Sequence, residues 1–186
     1  MVTDEKLVEE SLAGSELAFS ELVERYQERL LRYLCTRSGN RADAEDAVQD
    51  TFISAYRYLY SYNPRWRFST WIYRIAIRNV ARQSKGVVLA AEAIADEDAS
   101  DPLEEYIVAS DRENVWLTAK RLLNQDAYAA MWLRYVEDMS IKEVARALDK
   151  TQSWTKVTLL RGRRTLSTEF ADDVPEEARR QNYGRI

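Results

Sequence analysis

"MSIKEVARALDKTQSWTKVTLLRGRRTL", Met139 to Leu166, has the pattern of two helices joined by a short turn. Ser140 stands where it can cap a helix whose inward face is Ile141, Val144, Ala145 and Leu148. Asp149-Lys150-Thr151 then turns the chain, with aspartate where such turns usually carry glycine; aspartate tolerates left-handed geometry better than most residues. In the second helix Thr155, Leu159, Gly162 and Leu166 recur at helical spacing and face inward. Lys156, Arg161, Arg163 and Arg164 occupy its other sides. A short helix with cations opposite its core fits the major groove and attracts phosphates. A plain helical hairpin with a solvated basic face has the same spacing, so the stretch alone specifies a helix-turn-helix and leaves its use open.

Helical periodicity extends through most of the chain. In "ELAFSELVERYQERLLRYLCTRSGN", residues 16–40, Phe19, Leu22, Val23, Tyr26, Leu30, Tyr33 and Leu34 form one apolar stripe, ended by Gly39 and Asn40. Asp43 is placed to cap a second helix reaching about Tyr62, with Ala47, Val48, Phe52, Ala55 and Leu59 inward. Asn63-Pro64 breaks it. Ser69 is positioned to cap a third helix, with Phe68 stapled onto Tyr73 and Ile72, Ile75, Ala76 and Val80 buried. Periodicity resumes with Val115, Leu117, Leu122 and Leu123, then Tyr128, Met131, Trp132 and Tyr135. With only five glycines and three prolines, a turn-rich β architecture is excluded. The expected fold is all-α: a helical bundle over 1–86, an acidic linker over 87–112, a helix-turn-helix domain over 113–170 and a tail over 171–186.

Residue types narrow the chemistry. The chain has no histidine and one cysteine, Cys35, so imidazole catalysis, an internal disulfide and a cysteine-based zinc site are excluded. Glycine-rich phosphate loops are absent as well, so neither an enzyme nor a cofactor or metal site is expected. The start, "MVTDEKLVEE", is acidic where a signal peptide is basic and then apolar, and "VVLAAEAIA" is too short to span a bilayer. A cytoplasmic protein without membrane insertion is expected.

Charge is segregated. The net charge of −4 argues against a free-standing nucleic-acid binder. Yet residues 65–86 hold six cations and no acid, residues 87–113 nine acids against one cation, and residues 140–168 seven cations against two acids. Arg74, Arg78, Arg82 and Lys85 follow at spacings of four, four and three, which makes a continuous cationic stripe on the third helix. Trp71 lies near its edge, and Arg65, Trp66, Arg67 and Phe68 sit in the loop before it. Cations beside aromatic rings suit single-stranded or locally melted nucleic acid, where guanidinium groups hold phosphates and rings stack on bases. For Trp71 a place in the core is an equal reading. On the second helix Asp43, Asp46 and Asp50 share a face with Gln49 adjacent, an acidic surface suited to a cationic protein partner.

"DAEDAVQDTFISAYRYL…FSTWIYRIA" and the opening stretch together resemble the extracytoplasmic-function (ECF) group of the bacterial sigma-70 family, matching its regions 2 and 4 from about Glu16 to Leu166. This resemblance implies a promoter-specificity factor. Asp46, Gln49 and Asp50 would bind the clamp of core RNA polymerase, whose flap is a further contact. The loop Tyr62, Asn63, Arg65, Trp66, Arg67 and Phe68, with Trp71, Arg74, Arg78 and Arg82, would hold the melted single strand of the −10 element. Lys156, Val157, Leu160 and Arg161, with Arg163 and Arg164, would read the duplex −35 element. An anti-sigma factor is a further partner that the resemblance raises. The chain departs from the family pattern at Arg78, where an asparagine is usual and Asn79 comes one residue later, and at Trp154 and Thr158 in the recognition helix. Two other readings compete: a sigma-like decoy that binds an anti-sigma factor or polymerase without initiating transcription, and a repressor using the helix-turn-helix alone. The repressor leaves the stripe and the acidic face without a role.

Overall fold

A computed structural model describes the backbone of residues 2–38, 40–88 and 111–172, and the side chains of those residues up to 80 and from 115 to 170. Among the described residues there are helices and no strands. They are α1 (Asp4–Leu12), α2 (Glu16–Cys35), α3 (Arg41–Arg57), a 3₁₀ turn (Leu59–Ser61), α4 (Phe68–Val88), α5 (Asp111–Leu122), α6 (Gln125–Tyr135), α7 (Ile141–Ala147) and α8 (Gln152–Asp172). The two ends of the expected linker, 87–88 and 111–112, belong to α4 and α5, while most of the linker and of the tail lies outside the described residues. Among those residues no helix is long and apolar enough to cross a membrane.

The first four helices pack around α2, whose Leu22, Leu30 and Leu34 are fully buried. α1 and α3 lie against it, and α4 lies against α3. The expected apolar stripes are the buried ones: Tyr26 and Tyr33 on α2, Ala47, Phe52 and Ala55 on α3, Ile72, Ala76 and Val80 on α4. α1 has no counterpart in the periodicity of the sequence, because it contributes only the adjacent pair Leu7 and Val8 to the core. It is held by Thr3, whose hydroxyl accepts from the Lys6 amide, and by Asp4, which accepts from Arg25 at 2.7 Å and from the Tyr26 hydroxyl.

Two helix starts differ from expectation. Asn40 caps α3, its side chain accepting the Asp43 amide at 2.8 Å; Asp43 is therefore inside the first turn. α4 begins at Phe68, earlier than a Ser69 cap allows, and the Thr70 and Trp71 amides run to the Arg67 carbonyl. Ser69 and Thr70 are buried in that turn with hydroxyls that have no hydrogen-bond partner. α4 also continues to Val88, past the expected end of the bundle at Gly86.

In the C-terminal helices the opening stretch folds as its pattern requires. Ser140 and Glu143 form a capping box on α7, in which the serine hydroxyl accepts the Glu143 amide and the glutamate accepts the Ser140 amide at 2.8 Å. Asp149 has φ of 58°, in the left-handed region. Thr155, Leu159, Gly162 and Leu166 are all buried. Trp116, Tyr128 and Trp132 form an aromatic cluster beneath them, with centroids 5.0–6.0 Å apart.

Gly162 lets α6 and α8 approach closely. A Cβ there would sit 3.2 Å from Met131 Sδ and 3.7 Å from Leu123 Cδ1. Gly162→Leu is expected to destabilise the chain by ~1–3 kcal/mol, the usual cost of overpacking a filled core. Urea unfolding measures this, and an unchanged midpoint would show that α6 can move away at no cost.

Candidate nucleic-acid interface

The predicted site residues fall into three surfaces. On α3, Asp46, Gln49 and Asp50 are exposed on one face. Beside them runs a shallow apolar groove between α2 and α3, lined by Phe19, Val23, Val48, Phe52, Ile53 and Tyr56, with Gln49 on its edge. Ile53 and Tyr56 are about half exposed. Phe19 and Val23 of the α2 stripe and Val48 and Phe52 of the α3 stripe form its walls, while Ile53 and Tyr56 lie outside those stripes and follow Gln49 at four and seven residues on the same helix side.

On α4 and the loop before it, the residues divide between core and surface. Phe68 is 1% exposed and packs on Tyr26, Tyr62 and Trp71, so it shapes the loop from beneath and cannot itself touch a ligand. Trp71 is half-buried and sits edge-on to Tyr62, whose hydroxyl donates to the Trp66 carbonyl at 2.6 Å. Asn63 and Arg65 are exposed in the turn, joined by the Arg65 amide to the Asn63 side chain. The stripe exists as far as the side chains are described: Arg74 is half-buried and Arg78 exposed, one helical turn apart. The side chain of Arg82 lies outside the described residues. Asn79 turns the other way, donating to the Ser54 hydroxyl at 3.3 Å and the Asp50 carbonyl at 3.4 Å, so it ties α4 to α3. A cavity of ≈ 670 Å³ opens beside the stripe, walled by Tyr58, Asn63, Trp66, Trp71, Arg74 and Asn79.

The third surface is the outer side of α8. Lys156, Val157, Leu160, Arg161, Arg163 and Arg164 are all exposed; Val157, Leu160, Arg161 and Arg164 lie opposite the buried face, and Lys156 and Arg163 flank it. Val157 and Leu160 are 45% and 41% exposed, apolar contacts set among cations, as suits the methyl groups and phosphates of a major groove. Trp154 does not join them. It is half-buried, with the Lys150 ammonium 5.3 Å from its ring centre, and Thr158 is half-buried too.

The N- and C-terminal helices also touch one another. α7 lies on α4. Arg74 and Arg78 each donate to Asp149, at 2.9 and 3.2 Å. The Trp66 ring has the Lys142 ammonium at 4.8 Å and the Arg146 guanidinium at 4.4 Å. Arg29 of α2 donates through Nε at 3.0 Å and through a second nitrogen to Glu137, whose side chain is 1% exposed. Burial opposes the Arg29 charge, and the Glu137 carboxylate outweighs it, so the guanidinium pKa is raised. Arg74 behaves in the opposite way: burial lowers its pKa, Arg78 beside it lowers it further, and Asp149 only partly offsets them. Asp149, unusual in the sequence for its turn, thus has its partners on α4, more than seventy residues away.

Comparison with known proteins gives these surfaces a context. Residues 22–85 match the family Sigma-70 region 2. The chain is 31% identical to the ECF RNA polymerase sigma-E factor of Haemophilus influenzae over 183 residues, 91% of this chain and 96% of that one. It is 28% identical over 180 residues to the ECF RNA polymerase sigma factor SigW of Bacillus subtilis, 90% of this chain and 96% of the relative. Among solved structures, CnrH in complex with the cytosolic domain of CnrY is similar in fold, with a TM-score of 0.66 at 22% identity over 92% of this chain and 99% of that one. The chain therefore belongs to the ECF sigma factors of the sigma-70 family.

Proposed function

We propose that this protein is a promoter-specificity subunit of RNA polymerase, and that its three surfaces divide the work. The exposed face Asp46, Gln49 and Asp50, extended by the apolar groove beside it, suits a cationic surface of core polymerase. Arg74, Arg78, Trp66 and the cavity between them suit a melted −10 strand, where guanidinium groups hold phosphates and a base can enter beside a ring. The outer side of α8 suits the −35 duplex. The observation that carries the reading is this last one: six predicted contact residues are all exposed on α8, Val157, Leu160, Arg161 and Arg164 opposite its buried face and Lys156 and Arg163 along its flank. The action is regulatory, with no chemical step of its own, and it belongs in the cytoplasm with the polymerase. Anti-sigma factors are candidate partners, since a fold relative, the sigma factor RpoE of Bartonella quintana, was solved in complex with the anti-sigma factor NepR.

The stripe can be tested separately from polymerase binding. Arg74→Ala with Arg78→Ala is expected to reduce open promoter complexes ~10- to 100-fold, given roughly 1.5–3 kcal/mol for hydrogen bonds to charged groups. Affinity for core polymerase should stay within about twofold, because α3 carries the proposed polymerase contact. Permanganate reactivity of the −10 thymines reads opening directly. Full reactivity in the double variant would reduce the stripe to a solvated face.

A further inference from the structure

The surface assigned above to the −10 strand is occupied in this structure, and its occupant is the chain's own helix-turn-helix. The two Asp149 oxygens are shared out, Oδ1 to Arg74 and Oδ2 to Arg78, as a phosphate between two guanidinium groups would be. The cations over the Trp66 ring, Lys142 and Arg146, sit where a base would stack. The same arrangement leaves Lys156, Val157, Leu160 and Arg161 exposed, so only one of the two proposed DNA surfaces is covered. We propose that Asp149 is an intramolecular clasp that closes the free protein by standing in for a backbone phosphate on Arg74 and Arg78.

The chemistry of the contact suits a reversible closure. Asp149 is 69% exposed and Arg78 57%, so each pair is weak alone and salt-sensitive. Arg29–Glu137, with the glutamate buried, the arginine half-buried and two donors orienting the pair, aligns the N- and C-terminal helices beneath them. Other links among the described residues are modest as well: Arg37 to the carbonyl and side chain of Gln125 at 3.1 and 3.0 Å, Arg67 to the Asp138 carbonyl at 3.4 Å and to the Glu143 carboxylate at 3.9 Å, and a tilted Tyr33–Trp132 contact at 6.1 Å. A nucleic-acid strand competes for the same two guanidinium groups, so closure and strand binding exclude each other. Turn geometry alone does not explain the residue, since asparagine or glycine also accepts the left-handed conformation at this position.

The masking rests on the reading of the stripe as a nucleic-acid surface; the closure does not, and the test separates them. Asp149→Asn in the full chain keeps a side chain that tolerates φ of 58° and removes the charge. Small-angle scattering should show a radius of gyration above that of the wild type. Affinity for a fluorescein-labelled mixed-sequence single-stranded 15-mer should rise about 3- to 10-fold, the scale of two exposed ion pairs. Arg74→Gln with Arg78→Gln should expand the chain equally, without touching the turn. Unchanged scattering in Asp149→Asn overturns the clasp, as does expansion in that variant alone, which would trace the effect to the turn. Expansion in both without a gain in strand affinity for Asp149→Asn overturns the masking and places the error in the assignment of the stripe.

Discussion

Replacing Asp46 and Asp50 together with lysine should lower affinity for core RNA polymerase by about 100-fold or more. Like charges brought together across an interface cost several kcal/mol, and about 2.7 kcal/mol corresponds to 100-fold. Both carboxylates are exposed on α3, beyond the first helical turn, so neither acts as its cap; that role belongs to Asn40. The core beneath them, Ala44, Ala47 and Phe52, is untouched. The variant should therefore fold with wild-type helix content and fail only in assembly. Fluorescence anisotropy of labelled protein titrated with core polymerase measures it. Wild-type affinity would remove this face from the interface and leave the apolar groove with Ile53 and Tyr56 as the candidate contact.

A second large effect is expected at the other end of the molecule. Lys156→Ala with Arg161→Ala should weaken holoenzyme binding to the −35 duplex by roughly 100-fold, combining a phosphate contact with a base contact of ~1–3 kcal/mol. The salt dependence is the sharper readout: the slope of log K against log salt should become shallower by about 0.9 for each phosphate the variant no longer neutralises. Thr155, Leu159, Gly162 and Leu166 hold α8 from the opposite side, so the helix should persist. Weaker binding with no change in slope would mean that both residues read bases rather than phosphates. Unchanged affinity would mean that the DNA approaches another face of α8.

How far the sequence could be read follows from the range of each interaction. Helices whose apolar residues recur every three or four positions were legible, and α8 showed its buried face residue by residue. The Ser140 cap was legible because it stands immediately before the first residue of an apolar-periodic run. α1 was not, because a helix with only Leu7 and Val8 inward has no period to detect. The start of α4 was misplaced because Ser69 looks like a cap, whereas the burial of Phe68 among Tyr26, Tyr62 and Trp71 begins the helix before it. That same packing moves Phe68 from the candidate contacts into the core. Arg78 lies on the stripe and bonds to Asp149, and Asn79, a 100° step further round the helix, bonds to α3. Nothing local in the sequence reveals that Asp149 meets Arg74 and Arg78, since ion pairs between distant segments carry no periodicity.

The division of charge is consistent with the fold. An acidic chain with two basic surfaces binds nucleic acid weakly alone and gains its affinity from a larger partner. On the proposed clasp, the chain's own carboxylate of Asp149 also occupies one of those surfaces in the free protein.

The most direct measurement is run-off transcription from a fragmented bacterial genome by core RNA polymerase with and without this protein. The expected result is a set of new start sites that depend on the protein and share two sequence elements upstream. Polymerase that binds the protein yet initiates nowhere new would contradict a promoter-specificity role and point to a sigma-like decoy.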